Sequence, residues 1–333
     1  MRLPHFDYYA PASLEEVLSL LEDRQGEAHV LAGGTDLLPL MKYGLRVPST
    51  LISLKNVILL KGISIRDKEV FIGPMTTLAQ LQDSPIIRDN FPALHQAVEA
   101  TAAPPLRNIG TIGGNLVQNT RCLYYNQSKV WRREKPPCFK TGGTCCHAVP
   151  KGTKCFSVYC GDLAPALIAL GGRLSIESKN RRSITPLPDL FSGNGLAPFN
   201  LADDSLITGV IIPLPGKNSA SSYEKFRLRG SVDYPLVSAA ASITLQKGRN
   251  IKQSTLILGA VGPKPVIVTI DPLSPDLRSD GLNREALDNL LGKKAPMVDN
   301  LAMPGAYRKK ILSLVALKAI RRALEAIPKK ESQ

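Results

Sequence analysis

Cysteine is the residue type in this chain with the clearest potential for chemistry. All six cysteines lie between residues 122 and 160 of the 333-residue chain: Cys122, Cys138, Cys145, Cys146, Cys155 and Cys160. In the cytoplasm, clustered thiols are more often metal ligands than disulfide partners, because the compartment keeps them reduced. Thiolates are soft ligands that suit zinc or an iron–sulfur cluster, so this segment predicts one of these two centres.

Two glycine pairs form a second candidate site. Gly33-Gly34 follows the apolar run 29–32, and Gly113-Gly114 follows Thr111-Ile112. We predict that each pair ends a strand in a turn, where backbone N–H groups approach a ligand and form a nest for a pyrophosphate. Neither motif matches the Rossmann or the Walker pattern. A dinucleotide site and a purely structural pair of turns therefore both stay open on spacing alone.

The elements around these residues indicate an α+β protein of about two domains. A capping box at 13–16 predicts the start of a helix. The runs on either side of Gly33-Gly34 predict a β-α-β unit with strands at 29–32 and 51–54. The segment 121–160 has the character of an inserted loop, because the apolar run 162–170 resumes a core helix after it. Beyond residue 220, the pattern predicts an antiparallel sheet followed by helices.

The bulk composition indicates where the protein is located and which classes of partner it can bind. No apolar run approaches the roughly 20 residues of a membrane helix, and the N-terminus lacks the apolar segment of a signal peptide. We therefore expect a cytoplasmic protein that does not bind a membrane. The net charge of +14 suits an anionic ligand or an acidic protein partner, although a generally solvated basic surface would also account for it. Since aromatic residues are few and no nucleic-acid motif occurs, we do not expect nucleic-acid binding.

Longer motifs carry a resemblance to a known family. Both glycine motifs, the run Asp162-Leu163-Ala164-Pro165-Ala166-Leu167 and the later Tyr223-Glu224-Lys225-Phe226-Arg227 resemble the FAD-binding medium subunits of molybdenum hydroxylases. The resemblance implies a PCMH-type, vanillyl-alcohol-oxidase-like FAD-binding domain at 1–215, made of two α/β subdomains (about 1–55 and 56–215). It further implies a C-terminal flavoprotein domain of the CO-dehydrogenase type at 220–328, with an antiparallel sheet and helices.

The same resemblance implies a set of residues that bind FAD, in which the two glycine loops wrap the pyrophosphate. These residues are Val30, Leu31, Ala32, Gly33, Gly34, Thr35, Asp36, Leu37, Thr101, Thr111, Ile112, Gly113, Gly114, Asn115, Asp162, Ile207 and Lys225. From its chemistry alone, Asp36 is better suited to capping the following helix than to contacting a phosphate, because its charge would repel that group.

The cysteine segment carries a narrower resemblance. The run from Thr120 to Ser128 resembles the β subunits of 4-hydroxybenzoyl-CoA reductases, whose insertion holds a [4Fe–4S] cluster. The implied ligands are Cys122, Cys138, Cys146 and Cys155, and Cys145 could replace its neighbour Cys146. Their spacing fits no common zinc finger, which favours the cluster over zinc. We expect Cys160 to be a buried structural thiol and His147 to be a hydrogen-bonding loop residue.

The resemblance implies an electron-transfer subunit with no catalytic residue of its own. Electrons would pass between a ferredoxin-like carrier, the [4Fe–4S] cluster, FAD and two partner chains, a [2Fe–2S] small subunit and a molybdenum-cofactor large subunit. The expected assembly is a dimer of heterotrimers. The implied chemistry is reductive dehydroxylation of 4-hydroxybenzoyl-CoA or a related aromatic CoA thioester. The alternatives are a xanthine, aldehyde or nicotinate hydroxylase and, from another class, a zinc-stabilised nucleic-acid-binding module.

Overall fold

Three sheets and the helices around them make up the fold. The structure is a computed structural model that describes residues 2–246, 251–270 and 284–327. The strands are β1 (Asp7–Tyr9), β2 (Ala28–Leu31), β3 (Thr50–Ser53), β4 (Ile63–Arg66), β5 (Glu69–Ile72), β6 (Arg173–Ser178), β7 (Arg181–Pro186), β8 (Leu206–Pro213), β9 (Ser219–Phe226), β10 (Val237–Leu245), β11 (Ile251–Gly259) and β12 (Val266–Thr269).

Most of the helices are short. They are α1 (Leu14–Asp23), α2 (Leu37–Lys42), α3 (Leu78–Asp83), α4 (Pro85–Asn90), α5 (Pro92–Ala100), α6 (Pro104–Arg107), α7 (Ile112–Leu116), α8 (Lys129–Arg133), α9 (Leu163–Ala169), α10 (Arg284–Gly292) and α11 (Gly305–Glu325), with 3-10 turns at Ile58–Leu60, Phe139–Thr141 and Leu187–Leu190. Among the described residues, none of these helices combines the length and apolar character needed to cross a bilayer.

The first sheet is parallel and has the strand order β1-β3-β2. The predicted β-α-β unit is confirmed, since α2 connects β2 to β3 and Gly33-Gly34 lies between β2 and α2. Helix α1 begins after Ser13, whose hydroxyl accepts a hydrogen bond from the Glu16 amide at 3.2 Å. The apolar face of α1 packs against Ile52 of β3, so the first glycine loop is supported by a packed α/β layer.

The second sheet has the strand order β4-β5-β8-β6-β7 and is antiparallel throughout. Helices α3, α5 and α9 bury their apolar residues against it, with Leu81, Leu94 and Leu167 fully excluded from solvent. The predicted core helix after the cysteine segment is confirmed as α9. This core extends to Tyr223 of the third sheet, so the two regions share buried surface.

The third sheet is antiparallel, with the strand order β12-β11-β10-β9. Helix α11 covers one face through Leu312, Ala316 and Ile320, while α5 and α9 contact the other face. The predicted antiparallel sheet with helices is therefore confirmed. The expected outer limits of the two domains, residues 1 and 328, lie outside the described residues.

The second glycine motif differs from the prediction. Gly113 and Gly114 do not end a strand in a turn; they lie in the first turn of helix α7. The physical reason is capping, because the Thr111 hydroxyl accepts a hydrogen bond from the Gly114 amide at 3.1 Å. Glycine is a poor helix former, so the sequence favoured a turn where tertiary contacts and a cap support a short helix.

The cysteine segment is an ordered excursion between α7 and α9. Its base is closed by a pair of backbone hydrogen bonds, Arg121 N to Val158 O at 2.7 Å and Val158 N to Arg121 O at 2.8 Å. Within it, helix α8 begins after Ser128, whose hydroxyl accepts from the Trp131 amide. This closure brings the first and last parts of the segment side by side.

Candidate functional site: a nucleotide cradle beside a thiol cavity

Glycine is required at residues 33 and 113, where the two glycine motifs pack closely against neighbouring residues. A Cβ atom at Gly33 would lie 2.1 Å from the carbonyl oxygen of Ile109, and one at Gly113 would lie 2.8 Å from Pro74 Cβ. Gly34 has a φ of +72°, a conformation that side chains strongly disfavour. Close approach of Gly33 to Ile109 joins the first loop to the segment that leads into α7. The glycines thus build one continuous cradle.

The cradle opens into a cavity of about 330 Å³. Three buried polar atoms on its lining have no hydrogen-bond partner among the described residues: His29 Nδ1, Gln118 Nε2 and Asn119 Nδ2. Because buried polar groups are normally paired, these atoms indicate a polar ligand. Burial, and secondarily the charge of Arg46, lowers the pKa of His29, so its ring is neutral and offers one donor and one acceptor.

A second cavity, of about 120 Å³, lies beside the first. The two share the cradle residues Thr35 and Thr111 on their linings. An elongated ligand that crossed the cradle would therefore reach into a cavity on each side. A dinucleotide has this shape, with a pyrophosphate between two ring systems, so the residues present fit FAD.

A buried ion pair supports the second cavity. Lys225 Nζ lies 2.9 Å from Asp162 Oδ2, and the two side chains are 3% and 5% exposed. The hydroxyl of Tyr223 donates to Asp162 Oδ1 at 2.6 Å. Burial raises the pKa of Asp162, while the neighbouring Lys225 charge opposes that rise. Lys225 also donates to the carbonyls of Ala100 and Asp233, so it holds the wall of the cavity in place.

The structure brings most of the predicted FAD-binding residues together. Those that line the first cavity are Val30, Ala32, Gly33, Gly34, Thr35, Asp36, Leu37, Thr111, Gly113, Gly114 and Ile207. Those that line the second include Thr101, Asn115 and Asp162. Leu31, Ile112 and Lys225 line neither cavity: Ile112 is buried in the main core, and Lys225 stands behind Asp162.

Sequence reasoning missed several lining residues. His29, Gln118 and Asn119 line the first cavity, and Tyr234 lines the second. Gln118 and Asn119 follow the second glycine motif closely, which is a signal that could have identified them. His29 precedes Val30 on β2, whereas the position of Tyr234 depends on tertiary packing alone.

Asp36 does not cap helix α2 through its side chain, so that expectation is wrong. Its Oδ2 accepts a hydrogen bond from the Asn119 backbone amide at 2.9 Å instead. Its Oδ1 lies 3.7 Å from an Arg121 guanidinium nitrogen. The carboxylate is drawn away from the helix end because it ties the first loop to the start of the cysteine segment.

Five of the six cysteines line one small cavity. They are the four predicted ligands and Cys145, that is, Cys122, Cys138, Cys145, Cys146 and Cys155. Lys140, His147 and Ser157 also line this cavity. All six thiols are free of disulfides. Cys160 is 1% exposed and contacts the Val158 carbonyl outside this cavity, as expected of a structural thiol. His147 hydrogen-bonds to the Pro136 oxygen at 2.9 Å, as expected of a loop residue.

The thiols do not surround a single point. Within residues 2–246, 251–270 and 284–327, no group of three or more His, Cys, Asp or Glu side chains is arranged to hold a metal ion. In a [4Fe–4S] cluster each thiolate binds a different iron, so the ligands stand further apart than around one ion. Burial raises the pKa of Cys122 to about 11, and binding of a metal would displace that proton.

Direct contacts connect the thiol cavity to the cradle. Cys155 Sγ lies 3.2 Å from Ser157 Oγ, which lies 2.7 Å from Thr120 Oγ1. Lys140 donates to Thr120 Oγ1 at 2.7 Å and to Asn119 Oδ1 at 3.0 Å. The backbone N–H of Asn119 in turn donates to the Asp36 carboxylate, next to the first glycine pair. A centre held by the thiols would therefore stand beside a ligand in the cradle.

The fold and the site together are suited to an elongated nucleotide ligand, and comparison with known proteins gives the family. Residues 4–215 match the family model described as the FAD binding domain in molybdopterin dehydrogenase. The chain belongs to this family of FAD-binding oxidoreductase subunits. This membership favours the redox interpretation over a zinc-stabilised nucleic-acid-binding module.

Individual relatives agree with this assignment. The nicotinate dehydrogenase FAD-subunit of Eubacterium barkeri is 26% identical over 263 residues, which cover 78% of this chain and 76% of that protein. The carbon monoxide dehydrogenase medium chain of Afipia carboxidovorans is 25% identical over 323 residues, 96% of each chain. The structure of carbon monoxide dehydrogenase from Hydrogenophaga pseudoflava aligns with a TM-score of 0.77 at 23% identity, covering 98% of this chain and 100% of that one. This last similarity concerns the fold.

Proposed function

We propose that this chain is an electron-transfer subunit that holds FAD in the cradle and a [4Fe–4S] cluster in the thiol cavity. The cluster ligands are Cys122, Cys138, Cys146 and Cys155. The observation that carries the proposal is that these cysteines, spread over the insertion, line one cavity whose wall is hydrogen-bonded to the cradle through Asn119. FAD supplies exchange of one or two electrons when bound, and the cluster supplies one-electron exchange.

The chain's own residues would bind and separate the two groups. The first glycine loop would present backbone N–H groups to the pyrophosphate, while His29, Gln118 and Asn119 offer the unpaired polar atoms. The amides of Gly113 and Gly114 already donate to Pro74 O and Thr111 Oγ1, so the second motif would contribute the surface of the start of α7. The proposed FAD contacts are the predicted residues that line the two cavities, with Lys225 acting through Asp162. Two of the proposed ligands, Cys146 and Cys155, are buried, whereas Cys122 and Cys138 are half-buried, so the cluster would lie close to the protein surface.

Single cysteine substitutions test the ligand assignment. Each of Cys122→Ser, Cys138→Ser and Cys155→Ser should abolish iron–sulfur absorbance while FAD stays bound. Cys160→Ser is the matched control, because this thiol is also buried but lies outside the cavity, and it should keep both cofactors. Unchanged iron content in Cys122→Ser would reject the assignment.

The fourth ligand needs its own comparison. Cys145 and Cys146 are adjacent, and both line the cavity. Cys145 is half-buried and donates to the Pro137 carbonyl at 3.4 Å, whereas Cys146 is buried. We propose Cys146 as the ligand, so Cys146→Ser should lose iron and Cys145→Ser should retain it. The reverse result would assign the role to Cys145.

We further propose partner chains for this subunit. Relatives are named as medium chains and FAD-subunits of dehydrogenases, which supports a complex with a molybdenum-cofactor large subunit and a [2Fe–2S] small subunit, as a dimer of heterotrimers. A ferredoxin-like carrier would supply or accept electrons at the cysteine segment, 121–160, which is rich in lysine and arginine and would attract an acidic partner. Co-purification of the native complex tests this assembly.

Two substrate classes fit such a complex. The cysteine insertion supports reductive dehydroxylation of 4-hydroxybenzoyl-CoA or a related aromatic CoA thioester, chemistry that would occur on the large subunit. The named relatives act on carbon monoxide, nicotinate and nicotine, and they support a hydroxylase of another substrate equally well. Assay of the purified complex with an aromatic CoA thioester and with nicotinate or xanthine distinguishes the two.

A further inference from the structure

Asn300 attaches the cysteine insertion to the C-terminal region. It is fully buried in the connection between α10 and α11. Its backbone oxygen accepts a hydrogen bond from the Leu123 amide at 2.9 Å. Its side-chain nitrogen donates to the Phe156 carbonyl at 2.6 Å. One residue thus binds both the first and the last part of the insertion.

The two residues that Asn300 holds are neighbours of the outermost proposed ligands. Leu123 directly follows Cys122, and Phe156 directly follows Cys155. Both thiols line the same cavity. A hydrogen bond to the backbone next to a ligand restricts where the ligand's Cα lies, so a shared partner restricts the separation of the two sulfurs.

Arg308 fixes the orientation of the Asn300 amide. This arginine is also fully buried, and its guanidinium donates to Val298 O at 2.6 Å, to Ala260 O at 3.2 Å and to Asn300 Oδ1 at 3.4 Å. A guanidinium only donates hydrogen bonds. The amide oxygen of Asn300 must therefore face Arg308, which leaves the NH₂ group directed at Phe156.

We propose that Asn300 is a positioning residue for the iron–sulfur centre, which keeps Cys122 and Cys155 at the separation that cluster ligation requires. This inference rests on the proposed function, because it presupposes a cluster in the thiol cavity. Asn300 contacts the backbone beside the ligands and acts through them. Rigid support of this kind is how outer residues orient the groups that bind a metal.

The test is the isosteric variant Asn300→Asp in the full chain, purified without air. Aspartate keeps the size of the side chain and the acceptor for Arg308, but it places an oxygen against the Phe156 carbonyl. We expect iron release to a ferrous chelator to become about tenfold faster, the effect of one buried hydrogen bond worth ~1.4 kcal/mol. The electron paramagnetic resonance spectrum of the reduced cluster should also change, while bound FAD stays at the wild-type level.

Asn90→Asp is the matched control. The Asn90 amide donates to the Ile86 carbonyl at 3.0 Å in helix α4, outside the insertion and the cradle, so this variant should release iron at the wild-type rate. Equal release rates and spectra in wild type and Asn300→Asp would overturn the positioning role. Loss of FAD together with iron would also overturn it, in favour of a general structural role. A wild-type chain with FAD but no iron would instead reject the proposed cluster itself.

Discussion

The buried pair of Lys225 and Asp162 gives a prediction whose size follows from its surroundings. In Lys225→Met the carboxylate loses a cation at 2.9 Å in a site where both side chains are at most 5% exposed. Removing one partner of a buried pair leaves an uncompensated charge, which costs about 3–5 kcal/mol in the free energy of unfolding. Methionine has a similar length, so little of this loss comes from a cavity.

A surface pair at the same distance is the control. Lys318 Nζ also lies 2.9 Å from a carboxylate, that of Glu224, but the lysine side chain is 71% exposed. Lys318→Met should lower the free energy of unfolding by less than about 1 kcal/mol. Urea unfolding measured by circular dichroism, with flavin first removed so that ligand loss does not contribute, compares the two variants.

The pH dependence gives a further check on the same variant. Lys225 is the leading influence that lowers the pKa of Asp162, so its removal raises that pKa further above the value in the unfolded chain. The folded variant then binds more protons than the unfolded one, and its stability falls as pH rises between the two values. The deficit relative to wild type should thus be larger at about pH 7 than at about pH 4. Equal losses in Lys225→Met and Lys318→Met at about pH 7 would refute the reasoning.

Two other changes test the cradle and its support. Gly33→Ala places a Cβ within 2.1 Å of the Ile109 carbonyl oxygen and should weaken FAD binding at least about tenfold by titration, whereas Gly230→Ala, with nothing within 4 Å of its Cβ, should bind normally. Wild-type affinity in Gly33→Ala would contradict the packing of the loops. Tyr223→Phe removes the 2.6 Å hydrogen bond to Asp162 and should cost about 1.5–3 kcal/mol in urea unfolding; a loss below about 0.5 kcal/mol would show that the carboxylate does not depend on that hydroxyl.

The sequence predicted the elements that local signals specify. The start of α1 at Ser13 and the β-α-β unit around Gly33-Gly34 follow from capping and periodicity, which act over a few residues. The helical state of Gly113-Gly114 was missed because Thr111 capping and tertiary contacts outweigh the low helix propensity of glycine.

Part of the candidate site could be singled out from the chain. The glycine pairs and the clustered cysteines are visible in the sequence, whereas the other proposed FAD contacts were implied by the family resemblance. The roles of Asp36 and Asn300 could not be predicted, since each contacts a segment far away in sequence. Contacts of this kind depend on the closed base of the insertion and on the packing of the C-terminal region.

The most direct test of the account is cofactor analysis of the full chain purified without air. We predict one FAD per chain together with iron and acid-labile sulfide in the proportions of a single [4Fe–4S] cluster, both reduced by dithionite. A chain that contains FAD but neither iron nor sulfide, or that contains zinc in their place, would contradict it.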